Sequence, residues 1–248
     1  MFNKGDTTMN IALIFAGGIG KRMNTTGIPK QFLKLYGKEI IVYTLEIFEN
    51  NKNIDGIVIS CLKEKIDDLK RIIEKNNLKK VVSIIPGGNT GQESIYNGLK
   101  EIEKRYFKDD IVLIHDGVRP LINDDTINDN INLVKEKGNA ITTAPAIETI
   151  VRLENENNII KDIFNRSECF MARAPQSFIL NDILDAHEKA IIDKKDNFID
   201  SASIMAYYGH NLNIINGPSE NIKITTPSDF YIFKAILDMK ENLNIFGL

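Results

Sequence analysis

The feature that most constrains the fold is an aliphatic run that leads directly into a glycine-rich turn. The run Ile11–Phe15 is typical of a strand buried on both faces of a parallel sheet. Three glycines follow within residues 17–20, and a backbone without β-carbons can close its N–H groups around a phosphate chain. Arg22 and Lys30 would add two positive charges on a solvent-facing loop beside those phosphates. We therefore interpret this stretch as a cradle for nucleotide phosphates.

Two better-known glycine loops fit the same stretch less well. A P-loop requires Ser or Thr after its lysine, whereas Arg22 follows Gly20-Lys21. The dinucleotide fingerprint requires a third glycine, where this chain has Met23, and an acidic residue at the end of the second strand, where it has Cys61. The remaining alternative is a purely structural turn between a strand and a helix, for which glycine is equally suited.

The length and composition are ordinary for a soluble globular protein with a large core. The chain has 248 residues, of which 43% are hydrophobic and 26% charged, and its net charge is −3. We expect no nucleic-acid or membrane partner, because there is no global positive charge and no apolar run of spanning length. Cys61 and Cys169 have no metal-binding spacing and are expected to be reduced, in a cytoplasmic protein. We assign residues 9–248 to a single domain and residues 1–8 to a disordered extension.

Aliphatic runs alternate with amphipathic segments along the first half of the chain. The predicted elements after the first strand are a helix over 38–50, a strand over 57–61, a helix around 66–73, a strand over 81–85, a helix over 91–105 and a strand over 111–114. This alternation predicts a doubly wound, mostly parallel sheet.

The strand Ile111–Ile114 runs directly into a histidine and an aspartate. Ligands of open α/β sheets bind beyond the carboxyl ends of the strands, so Asp116 is well placed to hold Mg²⁺ against phosphates. The alternative is that Asp116 caps the turn that follows. We interpret His115 as a residue that packs or hydrogen-bonds at the end of the strand, and His187 and His210 form no metal constellation with it.

The pattern changes after a strand over 141–144. Residues 145–173 have the signature of a β-hairpin, with a polar turn over 154–158. A lone subunit could not fully cover the apolar side chains of this arm, which are Ile147, Ile150, Ile159 and Ile163. We therefore predict that the arm forms the interface of a homodimer.

The last part of the chain returns to mixed helices and strands. The predicted elements are helices over 181–192 and 200–208, a strand over 212–215, a short strand over 221–225 and a final helix from Pro227. Lys223 lies on the short strand between two isoleucines and should point the opposite way to them.

Five motifs, in order along nearly the whole chain, together resemble a known family. They are Ala16-Gly17-Gly18 with Gly20 and Arg22-Met23, then Pro29-Lys30-Gln31-Phe32-Leu33, His115-Asp116 with Arg119-Pro120, Pro175-Gln176-Ser177-Phe178 and Asn221-Ile222-Lys223-Ile224-Thr225. The chain resembles the cytidylyltransferases that make CDP-alcohols, whose two branches act on ribitol 5-phosphate and on 2-C-methyl-D-erythritol 4-phosphate.

The resemblance implies a Rossmann-like core, a homodimer joined through the β-arm, and transfer of CMP from CTP to an alcohol phosphate with Mg²⁺ and release of pyrophosphate. The implied nucleotide-binding residues are Phe15, Ala16, Gly17, Gly18, Gly20, Arg22, Lys30, Gly88, Asn89, Ser94 and Asp116. The implied catalytic residues are Arg22, Lys30, Arg166 and Lys223, and the acceptor is bound by Arg119, Thr149, Arg166 and Lys223, with Arg166 supplied by the partner's arm. Asp116 is the implied metal ligand.

The chain departs from the family pattern at two positions. Gly91 stands where an arginine usually lies beside the nucleotide, and Ala174 replaces the threonine that the methylerythritol branch has before Pro175-Gln176. The second departure favours the ribitol branch. The alternatives from other classes are a nucleotide-dependent oxidoreductase and a module that senses CTP or CDP without turnover, for which Gly91 is the only argument.

Overall fold

The computed structural model describes residues 8–18, 27–154 and 158–246, without the side chains after residue 242. The predictions for Gly20, for Arg22 and for nearly all of the N-terminal extension concern residues outside these ranges.

A seven-stranded sheet organises the chain. Its strands are β1 (Asn10–Ala16), β4 (Gly56–Cys61), β5 (Val81–Pro86), β6 (Ile111–Asp116), β7 (Asn139–Pro145), β10 (Phe170–Ile179) and β11 (Ile214–Asn216). Across the sheet they lie in the order β11-β7-β10-β6-β1-β4-β5. Only β10 runs antiparallel to its neighbours, β6 and β7. The prediction of a mostly parallel sheet is confirmed.

Seven helices of the described residues accompany this sheet. They are α1 (Ile40–Asn50), α2 (Ile66–Lys75), α3 (Gly91–Glu103), α4 (Asp124–Lys137), α5 (Leu180–Ile192), α6 (Ser201–Tyr207) and α7 (Pro227–Phe246). None of the described helices is long and apolar enough to cross a membrane.

The core has two halves, one on each face of the sheet, and β1 contributes to both by alternation. Ala12, Ile14 and Ala16 pack with residues of α1, α2 and α4. Ile11 and Leu13 pack with residues of α3, α5 and α6. Because every side chain of a central parallel strand meets a helix, the strand is aliphatic throughout, and the doubly wound architecture is confirmed.

The register of the central strands brings the predicted site residues to one edge. Phe15 of β1 lies opposite Asp116 of β6, and Ala16 lies opposite Cys61 of β4. On the other side of β6, the pairing of β10 with β7 is irregular between Ala172 and Gln176. The carboxyl ends of β1 and β6 and this irregular part of β10 therefore lie side by side.

The predicted hairpin is confirmed as a separate two-stranded sheet. It consists of β8 (Val151–Glu154) and β9 (Ile159–Ile163), which pair antiparallel. The apolar side chains predicted to remain uncovered are exposed within one chain: Ile147 is 73% exposed and Ile163 68%.

Several local predictions were incomplete or wrong. Helix α4 and strand β10 were not predicted, and residues 38–39 pair in a small hairpin, β2 (Lys34–Leu35) with β3 (Lys38–Glu39), rather than beginning a helix. Residues 221–225 form no strand. Lys223 is nevertheless half-buried between Ile222 and the fully buried Ile224, because hydrogen bonds from other segments shape this stretch.

Candidate active site

A cavity of about 340 Å³ opens at the carboxyl edge of the sheet. Four of the predicted site residues line it, namely Phe15, Asp116, Arg119 and Lys223. The other walls come from the start of α3, the irregular part of β10 and the segment before α6. This position matches the general rule that ligands of open α/β sheets bind beyond the ends of the parallel strands.

Asp116 is the centre of a charged cluster in this cavity. Its Oδ1 lies 2.6 Å from Nζ of Lys223, and its Oδ2 accepts a hydrogen bond of 3.2 Å from Nε of Arg119. Burial raises the pKa of this carboxyl group, but the charges of Lys223 and Arg119 outweigh burial and bring the pKa down to about 2. Asp116 is therefore an anion under all ordinary conditions, and it orients two cations toward the cavity.

His115, directly before this aspartate, has a structural role. Its Nε2 donates to the carbonyl oxygen of Arg119 at 3.0 Å, and its ring packs 5.1 Å from that of Phe48. Burial lowers the pKa of His115 to about 4, so the ring is neutral near pH 7. The interpretation of His115 as a packing and hydrogen-bonding residue is confirmed.

The glycine turn after β1 is closely packed against its neighbours. A β-carbon on Gly17 would lie 3.1 Å from Cε2 of Phe15 and 3.3 Å from Oγ of Ser94, so a larger residue fits here only if these neighbours move. Ser94 Oγ in turn accepts from the backbone N–H of Gly88 at 2.9 Å. The backbone N–H of Asn89 is occupied by Glu93 Oε2 at 2.7 Å. Gly17, Gly88 and Ser94 thus form one packed unit beside the cavity.

Lys30 is buried, being only 9% exposed, so the prediction that it lies on a solvent-facing loop was wrong. The turn that carries Lys30 is attached to the end of β1, because Gln31 Nε2 donates to the carbonyl oxygen of Ala16 at 2.6 Å. Lys30 Nζ donates to the carbonyl oxygen of Ile224 at 3.0 Å. A β-carbon on Gly18 would lie 4.0 Å from Lys30 Cε. The lysine therefore connects the glycine turn to the segment that carries Lys223.

Two predicted residues lie apart from the cavity of their own chain. Thr149 is exposed in the segment before β8. Arg166 is exposed in a short 3₁₀ turn of the arm, where its Nη1 donates to the carbonyl oxygen of Ile147 at 3.3 Å. Neither residue lines the cavity.

Sequence analysis missed several of the polar residues that line the cavity. Arg173 and Gln176 come from the unpredicted strand β10, and Asp200 is the N-cap of α6. Gln176 Nε2 donates to Asp200 Oδ2 at 2.8 Å, and its Oε1 accepts from the backbone N–H of Ala202 at 2.9 Å. The Pro175-Gln176 motif pointed to this place, but only the fold shows which side chains of β10 reach the cavity.

The residues present fit a magnesium ion that is held jointly with a substrate. Among the described residues, no group of three His, Cys, Asp or Glu side chains could hold a metal ion alone. Asp116 supplies one anionic oxygen ligand at the cavity wall, and Mg²⁺ commonly takes only one or two carboxylates, with substrate phosphates and waters completing its shell.

Comparison with known proteins identifies the family. The model of the family described as IspD, 2-C-methyl-D-erythritol 4-phosphate cytidylyltransferase, matches residues 10–239. A curated ribitol-5-phosphate cytidylyltransferase of Vibrio parahaemolyticus is 55% identical, over 96% of this chain and all of the relative. A curated 2-C-methyl-D-erythritol 4-phosphate cytidylyltransferase of Clostridium botulinum is 40% identical, over 92% of this chain and 97% of the relative.

A solved structure supports the same fold. The 4-diphosphocytidyl-2C-methyl-D-erythritol synthase of Anaerococcus prevotii superposes with a TM-score of 0.80 at 24% identity, covering 93% of this chain and 96% of that protein. With the matching family model and the two curated relatives, this leads to one conclusion: the chain belongs to the IspD family of cytidylyltransferases.

Proposed function

We propose that the protein transfers CMP from CTP to D-ribitol 5-phosphate and releases pyrophosphate. The observation that carries this proposal is the Asp116 carboxylate, held between Lys223 and Arg119 at the cavity wall and opposite Phe15 at the end of β1. This arrangement puts fixed charges of both signs beside a glycine turn, as a reaction between two phosphate compounds requires.

The chemistry needs positioning and charge rather than a protein base. An acceptor phosphate oxygen attacks the α-phosphorus of CTP in line, and pyrophosphate leaves. Because this nucleophile is already an anion, the neutral and buried His115 has no proton to accept. Lys30, Lys223 and Arg119 stabilise the negative charge on the transferred group, and the backbone after Ala16 binds the triphosphate.

A bound Mg²⁺ would supply a Lewis acid that neutralises charge on the phosphates. Asp116 is the residue that would hold it. Its low pKa keeps the ligand deprotonated, so metal binding has no proton to displace between pH 5 and pH 9.

Similarity to the relatives favours ribitol 5-phosphate over methylerythritol phosphate. The ribitol-type relative is the more similar, at 55% identity against 40%.

The homodimer remains part of this proposal. Thr149 and Arg166 lie on an arm with exposed isoleucines and away from the cavity of their own chain. We propose that a second copy covers these isoleucines and receives Arg166 in its cavity, where the planar guanidinium binds a phosphate.

Release of pyrophosphate tests the proposal directly. The assay combines the enzyme, Mg²⁺ and CTP with ribitol 5-phosphate, with 2-C-methyl-D-erythritol 4-phosphate or with no acceptor. We expect kcat/KM for ribitol 5-phosphate to exceed that for the methylerythritol compound by roughly 10-fold or more, the scale on which a pocket discriminates between substrates that differ by one carbon group. A preference for the methylerythritol compound would reverse the assignment of the acceptor, and binding of CTP without turnover would support a sensing module.

A further inference from the structure

We propose that Arg173 is an acceptor-binding residue, and that it binds the phosphate group of the alcohol phosphate together with Arg119. The name of the acceptor rests on the proposed function, whereas the anion site follows from the cavity itself.

Arg173 is positioned by the irregular backbone of β10 and by a hydrogen-bond acceptor that it shares with Arg119. It lies in the irregular part of β10, which leaves the regular ladder between Ala172 and Gln176. Its Nη1 donates to the carbonyl oxygen of Asn221 at 2.8 Å, and Nη1 of Arg119 donates to the same oxygen at 2.7 Å. Asn221 is fully buried, and its Nδ2 donates to the carbonyl oxygen of Ala174 at 2.8 Å. The carbonyl group of the buried Asn221 therefore holds the guanidinium groups of Arg119 and Arg173 side by side in the cavity wall.

Arg173 has no carboxylate partner among the described residues. Lys223 and Arg119 share the carboxylate of Asp116, whereas no carboxylate of the described residues pairs with Arg173. Burial and the charge of Arg119 both lower the pKa of Arg173, although a guanidinium remains protonated in proteins. Arg173 is thus a partly buried cation without an ion-pair partner of its own, which is a costly arrangement.

Arg173 also retains hydrogen-bonding capacity. A guanidinium has five N–H donors, and within the described part of the chain Nε of Arg173 is buried without a partner. A buried donor of this kind destabilises the free protein, but a bound anion would satisfy it. A phosphate group fits, because it can accept two parallel hydrogen bonds from a guanidinium.

The order of the strands indicates which phosphate this is. Along the sheet, β10 lies on one side of β6 and β1 lies on the other. Arg173 and the glycine turn at Gly17 are therefore on opposite sides of Asp116. Since the glycine turn is assigned to CTP, the anion at Arg173 is the phosphate of the acceptor, next to the position where it attacks.

The first test separates binding of the acceptor from binding of CTP. Arg173→Leu removes the positive charge, whereas Arg173→Lys keeps the charge but lacks the planar guanidinium group. Arg71→Leu makes the same change at an exposed arginine on α2 and serves as the control. We expect Arg173→Leu to raise KM for the acceptor roughly 10- to 100-fold, with KM for CTP within about 2-fold of the wild type and Arg173→Lys in between. An unchanged KM for the acceptor, or an equal rise in both KM values, would overturn the proposal.

The second test requires no turnover, so it holds even if ribitol 5-phosphate is not the acceptor. Inorganic phosphate should raise the Tm of the wild type and of Arg71→Leu more than that of Arg173→Leu. Because Arg173 is an uncompensated cation, Arg173→Leu without ligand should have the same Tm as the wild type or a higher one. Equal stabilisation of all three proteins by phosphate, or a lower Tm of ligand-free Arg173→Leu, would show that Arg173 is structural and contradict the proposal.

Discussion

The carboxyl edge of the sheet and the β-arm hold their predicted site residues in opposite ways. At the edge, Asp116 and Lys30 are fixed by ion pairs and hydrogen bonds to buried segments of the same chain. On the arm, Arg166 is exposed and donates only to the backbone of its own arm within the described residues. A single chain therefore holds one group of predicted site residues in its cavity and the other on an exposed apolar surface, and such surfaces are typical of interfaces.

The largest expected effect is a loss of activity when Asp116, at the carboxyl edge of the sheet, is changed. Asp116→Asn keeps the shape of the side chain but removes the charge that holds Lys223 and Arg119 and that would hold Mg²⁺. We expect kcat to fall about 10³-fold, the upper end of the loss seen when one transition-state contact is removed. Pyrophosphate release measured over a range of Mg²⁺ concentrations checks this.

The result for Asp116→Asn is interpretable only if the variant folds, which circular dichroism can establish. Turnover of the folded variant at the wild-type rate would show that the charged cluster is not part of the reaction. Wild-type turnover in excess EDTA would separately exclude a role for the metal.

A smaller effect is expected when the arm is altered. Ile163→Glu places a charge on the exposed apolar face, so a second copy should no longer pack there. We expect light scattering to show the mass of one chain, and activity to fall roughly 10²-fold, as for loss of Arg166 itself, because Arg166 would no longer reach a partner's cavity.

Ile192→Glu is the matched control for the arm variant. Ile192 is 78% exposed at the end of α5, away from the arm. The same substitution there should change neither mass nor activity. If Ile163→Glu behaves like this control, the arm is not an interface.

The smallest expected effect is on stability, and it concerns two buried histidines, His115 and His187, rather than the arm. Burial lowers the pKa of both His115 and His187 to about 4, whereas an unfolded histidine titrates near pH 6.5. Between these values the unfolded chain binds protons that the native chain does not, so stability is constant above about pH 6.5 and is lost as the pH falls toward 4. At pH 5 we expect a loss of about 2 kcal/mol per histidine relative to pH 7.

Denaturant unfolding at several pH values measures this loss. His187→Gln should reduce the slope between pH 5 and pH 6.5 by about half if the two histidines contribute equally. A stability that does not vary between pH 5 and pH 7 would show that neither histidine is buried in its neutral form.

Sequence patterns predicted the sheet well because its strands are aliphatic and bounded by turns. They did not predict α4, although its buried residues Ile127, Ile131 and Val134 are spaced i, i+4 and i+7, because most of the residues between them are polar. Its ends are nevertheless marked by local signals: Asn123 Oδ1 accepts from the backbone N–H of Thr126 at 3.0 Å, and Gly138 ends the helix with φ of +86°. These are the N-cap and the left-handed C-terminal glycine that such helices use.

The site was predicted in part, and the missing parts depend on contacts between distant segments. Asp116 and Phe15 lie at the ends of strands that the sequence predicts, so their position at the same edge of the sheet could be predicted. The burial of Lys30 depends on the hydrogen bond between Gln31 and Ala16, and the position of Arg173 depends on Asn221, far along the chain. Periodicity carries no information about such contacts.

The most direct test of the account asks whether one active site needs residues of two chains. Lys30→Ala alters the sheet edge and Arg166→Ala alters the arm, and each variant alone should lose roughly 10²- to 10³-fold in kcat. After subunit exchange at equal amounts, about half of the dimers are mixed, and each mixed dimer has one intact site.

Native mass spectrometry first confirms that mixed dimers form, and pyrophosphate release then measures the activity of the mixture. Our account predicts that roughly a quarter of the wild-type activity returns. Activity that stays at the level of the single variants, although mixed dimers are present, would contradict the claim that the arm of one chain completes the site of the other.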